Sequence, residues 1–161
     1  MIVIVMGVVG AGKTTVGRML AAQLKWEFAD ADDFHPSSNV EKIRNGIPLN
    51  DADREPWLDL LHQAMARWIT AGANVVLACS ALKRSYRSKL KVSPEVRFVY
   101  LKGSAELIAE RLRQRHGHFA GQSILTSQLA DLEEPDDALT VEVSSSPEQI
   151  VEEIRKGLGL E

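Results

Sequence analysis

A chain of 161 residues that is 45% hydrophobic and 25% charged has the length and apolar content for one compact core, which speaks against disorder and against a membrane span. Its net charge of −3 and pI near 5.8 argue against a nucleic-acid backbone as the main partner, since that attraction needs clustered cationic charge. The single cysteine, Cys79, has no internal disulfide partner, and paired-cysteine zinc spacing is lacking, so a reducing compartment is expected.

The chain begins with "MIVIVMGVVG", which lacks a basic leader and runs directly into "AGKTT". It reads as a buried first strand over residues 2–6, not a signal segment, and it is too short to cross a bilayer. No membrane partner and a cytoplasmic location are therefore expected. The stretch "GVVGAGKT", Gly7 to Thr14, satisfies G-x-x-x-x-G-K-[ST] between a strand and a helix. Gly7, Gly10, Ala11 and Gly12 let the backbone wrap around phosphates, with Thr15 continuing into the helix whose N-terminus adds positive potential. Lys13 is expected to reach the β- and γ-phosphates and the Thr14 hydroxyl to meet Mg²⁺. A glycine-rich turn without ligand is the competing reading, and the strand and helix flanks count against it.

A second strand over 26–29 leads into "DADDFHP". In a parallel sheet the C-terminal ends of the strands share one edge with the phosphate loop, so Asp30 and Asp32 should face it. Alternation along an extended segment puts both carboxylates on one side, where one serves Mg²⁺ through water and the other orients or deprotonates an attacking hydroxyl. His35, made extended by Pro36, either projects toward substrate or is a helix-capping or surface histidine. Next, "PLNDADREPWL" sets Arg54 at the start of a helix whose Trp57, Leu60, Leu61, Ala64, Met65 and Trp68 recur at core spacing, with Gly72 ending it. Asp53 and Arg54 are otherwise helix-terminal charges.

The third strand, 74–79 within "NVVLACS", is apolar almost throughout, as an interior parallel strand should be. "CSALKRSYR" follows with Ser80 and Lys83 at the same edge; taken alone, Lys83, Arg84, Arg87 and Lys89 read rather as a solvated face. A fourth strand spans 97–102. Arg111 and Arg115, four apart on a helix ending near His116, share a face that would clamp nucleotide phosphates, unless they only pair with Glu106 or Glu110. "GHFAGQSILTSQLADLEEP" interrupts the alternation and is read as a lid over about 117–135. A last strand at 139–143 precedes a helix capped by Ser146, Pro147 and Gln149. The alternation makes the chain a single α/β domain over 1–161, with a parallel sheet between two helical layers.

Taken together, "GVVGAGKTT", "DADDFHP", "GIPLNDADREPWL", "CSALKRSYR", "FVYLKG", "RLRQRHGHF" and "SQLADLEEP" resemble the gluconokinases, small P-loop kinases that phosphorylate D-gluconate at its terminal hydroxyl. The resemblance covers nearly the whole chain. It implies the nucleoside monophosphate kinase-like fold with strand order 2-3-1-4-5, the cofactors ATP and Mg²⁺, and a homodimer. It implies that Lys13 and Thr14 handle phosphate and Mg²⁺, with Asp30 reaching the metal through water. Asp32 becomes the residue that orients or deprotonates the hydroxyl, and Arg111 and Arg115 belong to the lid. His35, Arg54, Ser80, Lys83, His118 and Gln128 would line the sugar-acid site, with Arg54 and Lys83 suited to a carboxylate. The chain departs from the family pattern at Val9, Ala11, Ile43, Ala120 and Gly121. A shikimate kinase-like enzyme shares the P-loop and paired aspartates, and a nucleotide-dependent binding module without phosphotransfer shares the P-loop. "GHF" and "CSALK" discriminate against the shikimate kinase-like reading, and an Asp32→Asn variant that loses turnover but keeps ATP binding discriminates against the binding module.

Overall fold

The computed structural model describes residues 1–116 and 121–160, so the expectation for His118 lies outside the described residues. All five expected strands form: β1 Ile2–Met6, β2 Glu27–Asp30, β3 Val75–Ala78, β4 Val96–Lys102 and β5 Leu139–Glu142. Every pairing is parallel and the order is β2-β3-β1-β4-β5. Every residue of β1 is 0% exposed, because this strand is central and covered on both faces. Its side chains alternate between two cores. Ile2, Ile4 and Met6 pack with Trp57, Leu61 and Met65 on one face. Val3 and Val5 pack with Val16, Leu20, Ile150 and Ile154 on the other. Each fully buried side chain of this size contributes about 1.5–3 kcal/mol.

The helices that cover the first face include α3, Asp51–Thr70, and α4, Arg84–Leu90; those covering the second are α1, Lys13–Leu24, and α7, Pro147–Leu158. Asn50 and Asp53 form a capping box that starts α3, and Ser146 and Gln149 form the expected one that starts α7. The buried stripe of α3 is Trp57, Leu58, Leu61, Ala64 and Met65. Leu60, expected in the core, is 45% exposed, because it lies beyond the edge of that stripe. Two elements were not expected. A 3₁₀ turn spans Ala31–Phe34, and α2 spans Ser37–Arg44. The latter is short and polar, and Asn39 is its only buried residue.

Arg87 is also relocated. It is 6% exposed rather than part of a solvated face. Its guanidinium donates from Nη1 to the carbonyls of Ala81 (2.8 Å) and Leu82 (3.1 Å), and from Nη2 to that of Glu133 (2.8 Å). This holds the loop after β3, where Ala81 takes the left-handed φ of +45°. Arg87→Met leaves three carbonyls without that donor, and an expected destabilisation of about 2–4 kcal/mol follows. A lowered midpoint in urea unfolding checks it; an unchanged midpoint contradicts it.

Candidate active site

The phosphate loop links β1 to α1. Gly12, the residue before α1, has φ +96°, and a Cβ on Gly10 would come within 2.9 Å of Leu112 Cγ, so these two positions need glycine for different reasons. Lys13 Nζ donates to the Val8 carbonyl at 3.0 Å. Desolvation lowers the pKa of this ammonium, while the negative potentials of Asp32 and Asp30 oppose the shift.

The acidic turn reaches the loop by a different route from the one expected. The chain leaves the extended conformation at Asp30, so Asp30 and Asp32 do not alternate along one strand. Asp30 Oδ1 instead accepts from the Asp32 backbone N–H at 2.9 Å, and its Oδ2 accepts from Thr14 Oγ1 at 3.0 Å. Both carboxylates still line one cleft of about 120 Å³ with Lys13, Thr14 and Arg115. Crowding by the cleft walls, and then the charge of Asp30, raise the pKa of the Asp32 carboxyl. Cys79 lines the same cleft with its thiol pushed up to about 12 by burial, so it remains protonated.

A second cavity, of about 110 Å³, lies on the other side of Asp32 and is lined by His35, Arg54, Trp57, Ser80 and Gln128. His35 stacks on Trp57 with ring centroids 4.4 Å apart, and the Trp57 indole donates to the Ala31 carbonyl at 2.7 Å. Burial first, and then the positive charge of Arg54, lower the His35 pKa to about 4, so the ring is neutral near pH 7. Arg54 is 6% exposed; its Nη1 donates to Tyr86 Oη at 3.0 Å and to Asp131 Oδ2 at 2.8 Å. Gln128 Oε1 accepts from the Val9 N–H of the phosphate loop at 2.7 Å.

Gln128 and Asp131 both belong to α6, Gln122–Asp131, whose Ser123 also donates to the Gly46 carbonyl at 2.7 Å. Within the described part of the expected lid, α6 is thus a wall of this cavity, hydrogen-bonded to the phosphate loop, α3 and the Gly46 turn. Lys83 is not among the lining residues. Its Nζ pairs with Asp51 at 2.9 Å, and Tyr86 donates to the same carboxylate. Lys83 therefore stands behind Arg54 in a chain of contacts. A third cavity, about 290 Å³, opens beyond the phosphate loop between Gly12, Arg111, Arg115 and Ser145. The helix α5, Ala105–His116, supplies both arginines. Arg111 Nη2 donates to the Val143 carbonyl at 2.6 Å and Glu110 pairs with Arg113, so among the described residues Arg111 is held by a backbone carbonyl and Glu110 by a different arginine. Sequence reasoning missed Asn39, Tyr86 and Asp131 as supports of the site, since a polar residue in a helix carries no signal of what it faces.

The chain is similar in sequence and fold to known proteins. The shikimate kinase family model matches residues 9–158. A gluconokinase of Gluconobacter oxydans is 48% identical over 94% of this chain and 87% of its own length. A probable gluconokinase of Xenopus tropicalis is 45% identical over 96% of this chain and 91% of its own length. The chain belongs to the gluconokinase family. Its solved structural relatives agree: a gluconokinase from Sinorhizobium meliloti superposes with a TM-score of 0.87 at 41% identity, covering 98% of this chain and 90% of that one. Gluconokinase relatives at this identity over the whole chain decide between the sugar-acid reading and the shikimate kinase-like one. Among the described residues no helix is long and apolar enough to cross a membrane.

Proposed function

We infer that the chain transfers the γ-phosphoryl group of ATP to the terminal C6 hydroxyl of D-gluconate, giving 6-phospho-D-gluconate and ADP. The observation that carries this reading is that Lys13 and Asp32 line both the phosphate cleft and the second cavity. A phosphoryl group and a hydroxyl held in the two cavities would therefore meet between one cation and one carboxylate. In the transfer, the hydroxyl oxygen bonds to the γ-phosphorus as the bond from that phosphorus to the β,γ-bridging oxygen breaks. The hydroxyl proton passes to Asp32, and ADP leaves with the bridging oxygen.

Phosphate oxygens rest on the loop amides, Lys13 and the N-terminus of α1. Arg115, which lines both the phosphate cleft and the larger cavity, is placed to meet charge spreading over the transferred group, with Arg111 behind it on the nucleotide side. The hard oxygen donors of Thr14 and Asp30, already hydrogen-bonded to each other, fit Mg²⁺. Thr14 would hold it directly and Asp30 through water. When bound, the ion neutralises phosphate charge. In the second cavity Arg54 uses only Nη1 for protein partners among the described residues, leaving the other edge of its fork for the sugar carboxylate. Ser80 and Gln128 supply polar contacts to the hydroxyls.

The test is ADP release measured over a panel of sugar acids, the matching polyols, shikimate and nucleosides. Gluconate turns over, and the polyol of equal length loses at least about 100-fold in kcat/KM, because Arg54 is left buried opposite a neutral group. Turnover of shikimate or a nucleoside with none of gluconate rejects the assignment.

A further inference from the structure

We propose that Asn39 is a positioning residue for the transfer: it holds His35 in the tautomer protonated on Nε2, so that a substrate hydroxyl accepts from His35 and donates to Asp32. The inference rests on the reading of the second cavity given above. It starts from the one buried residue of α2.

Asn39 is 3% exposed, and its Nδ2 donates to the Asp53 carbonyl at 2.7 Å. A carbonyl can only accept, so this contact sets which end of the amide is the NH₂ group. The same nitrogen lies 3.2 Å from His35 Nδ1. An amide N–H aimed at an imidazole nitrogen needs a lone pair there, so Nδ1 is the unprotonated nitrogen. In a neutral ring the proton then sits on Nε2. The ring has little freedom to escape this arrangement. It lies within 13° of parallel to Trp57, and its side chain is 5% exposed. Asp53 is itself held by Lys42 and by the Asn50 cap, so the carbonyl that orients Asn39 belongs to a well-anchored first turn.

His35 Nε2 lies 4.0 Å from Asp32 Oδ1. That is too long for a direct hydrogen bond, yet one oxygen placed between them lies within bonding distance of both. With the proton on Nε2, such a hydroxyl oxygen accepts from His35, and its own proton is left to point at Asp32. With the opposite tautomer, Nε2 would offer a lone pair. It would compete with Asp32 for the hydroxyl proton and turn it away from the carboxylate. Asn39 touches no reacting atom in this scheme and acts through His35 alone.

The experiment uses the full chain labelled with ¹⁵N-histidine, with the His35 resonances assigned by their loss in His35→Gln. Long-range ¹H–¹⁵N correlation on the ligand-free protein at pH 7 should show a protonated Nε2 and an unprotonated Nδ1. Asn39→Asp presents an acceptor to Nδ1, so the proton should move there, and kcat/KM for gluconate should fall about 10- to 100-fold with the ATP dissociation constant changed less than twofold. Asn39→Ala, which introduces no buried charge, should give mixed tautomers and an intermediate loss. A wild-type ring protonated on Nδ1 overturns the proposal, whatever the variants do. So does a tautomer switch with unchanged kcat/KM, or a loss of activity in both variants with the tautomer unaltered. If the enzyme instead turned over a different hydroxy acid, the tautomer measurement would stand and the rate comparison would be made with that substrate, so the two readings fail separately.

Discussion

Asp32→Asn is expected to lower kcat by about 10²–10⁴-fold while ATP binding, measured by calorimetry, changes by less than about twofold. The amide keeps the shape of the side chain and can still hold a hydroxyl in place, but it cannot take the proton. Because Asp32 borders the phosphate cleft and the second cavity, while the cavity beyond the loop proposed for the nucleotide is built without it, the loss should fall on turnover and spare nucleotide affinity. The pH profile provides a second readout. The Asp32 pKa is raised above its ordinary value of 3.8, first by desolvation and then by Asp30. A base must be ionised to act, so kcat/KM of the wild type should rise with pH along an acid limb lying above 3.8, and the variant should lack that limb. Wild-type turnover in the variant would remove Asp32 from the chemistry.

Lys13→Met is expected to lower kcat by about 10²–10³-fold and to weaken ATP binding as well. Methionine nearly matches the length of the stem but brings no charge to the phosphate oxygens, and the Val8 carbonyl keeps only the Ala11 N–H of its two donors. This variant differs from the first because, in the proposed function, Lys13 meets the nucleotide in both ground and transition states, so affinity and turnover should fall together. It also lowers the Asp32 pKa through its charge. Removing it should therefore move the acid limb of the remaining activity to higher pH. Normal turnover and affinity would contradict the phosphate-loop assignment, and a lost turnover with an unmoved limb would separate Lys13 from Asp32.

Much of the site was legible because its parts are local in the chain. The glycines, Lys13 and Thr14 lie within one loop, and the strand–loop–helix context that gives them meaning is contiguous. Asp30 and Asp32 were legible as well, though for an incomplete reason: the expected alternation fails where the 3₁₀ turn begins, and the two carboxylates reach the cleft because Asp30 caps that turn. Arg54 was marked as a candidate, but nothing nearby in sequence announces Asp131, which is 77 residues away and shares its Nη1. Lys83 and Arg87 looked alike in "CSALKRSYR". One pairs with Asp51 outside the cavity lining, and the other is buried against three carbonyls, a difference set by which face of α4 meets the segment around Glu133.

The sheet, the phosphate loop and the family are already legible in the order of the amino acids, because apolar periodicity and short motifs act over a few neighbouring residues, where backbone geometry dictates the outcome. Tertiary structure alone decided which polar side chains are buried and with what partners. Asn39 is an unremarkable helical residue until α2 folds against the start of α3; only then do the Asp53 carbonyl and the His35 ring set its amide. Hydrogen bonds between residues distant in sequence depend on positions fixed to within a few tenths of an ångström, and such positions belong to the packed molecule.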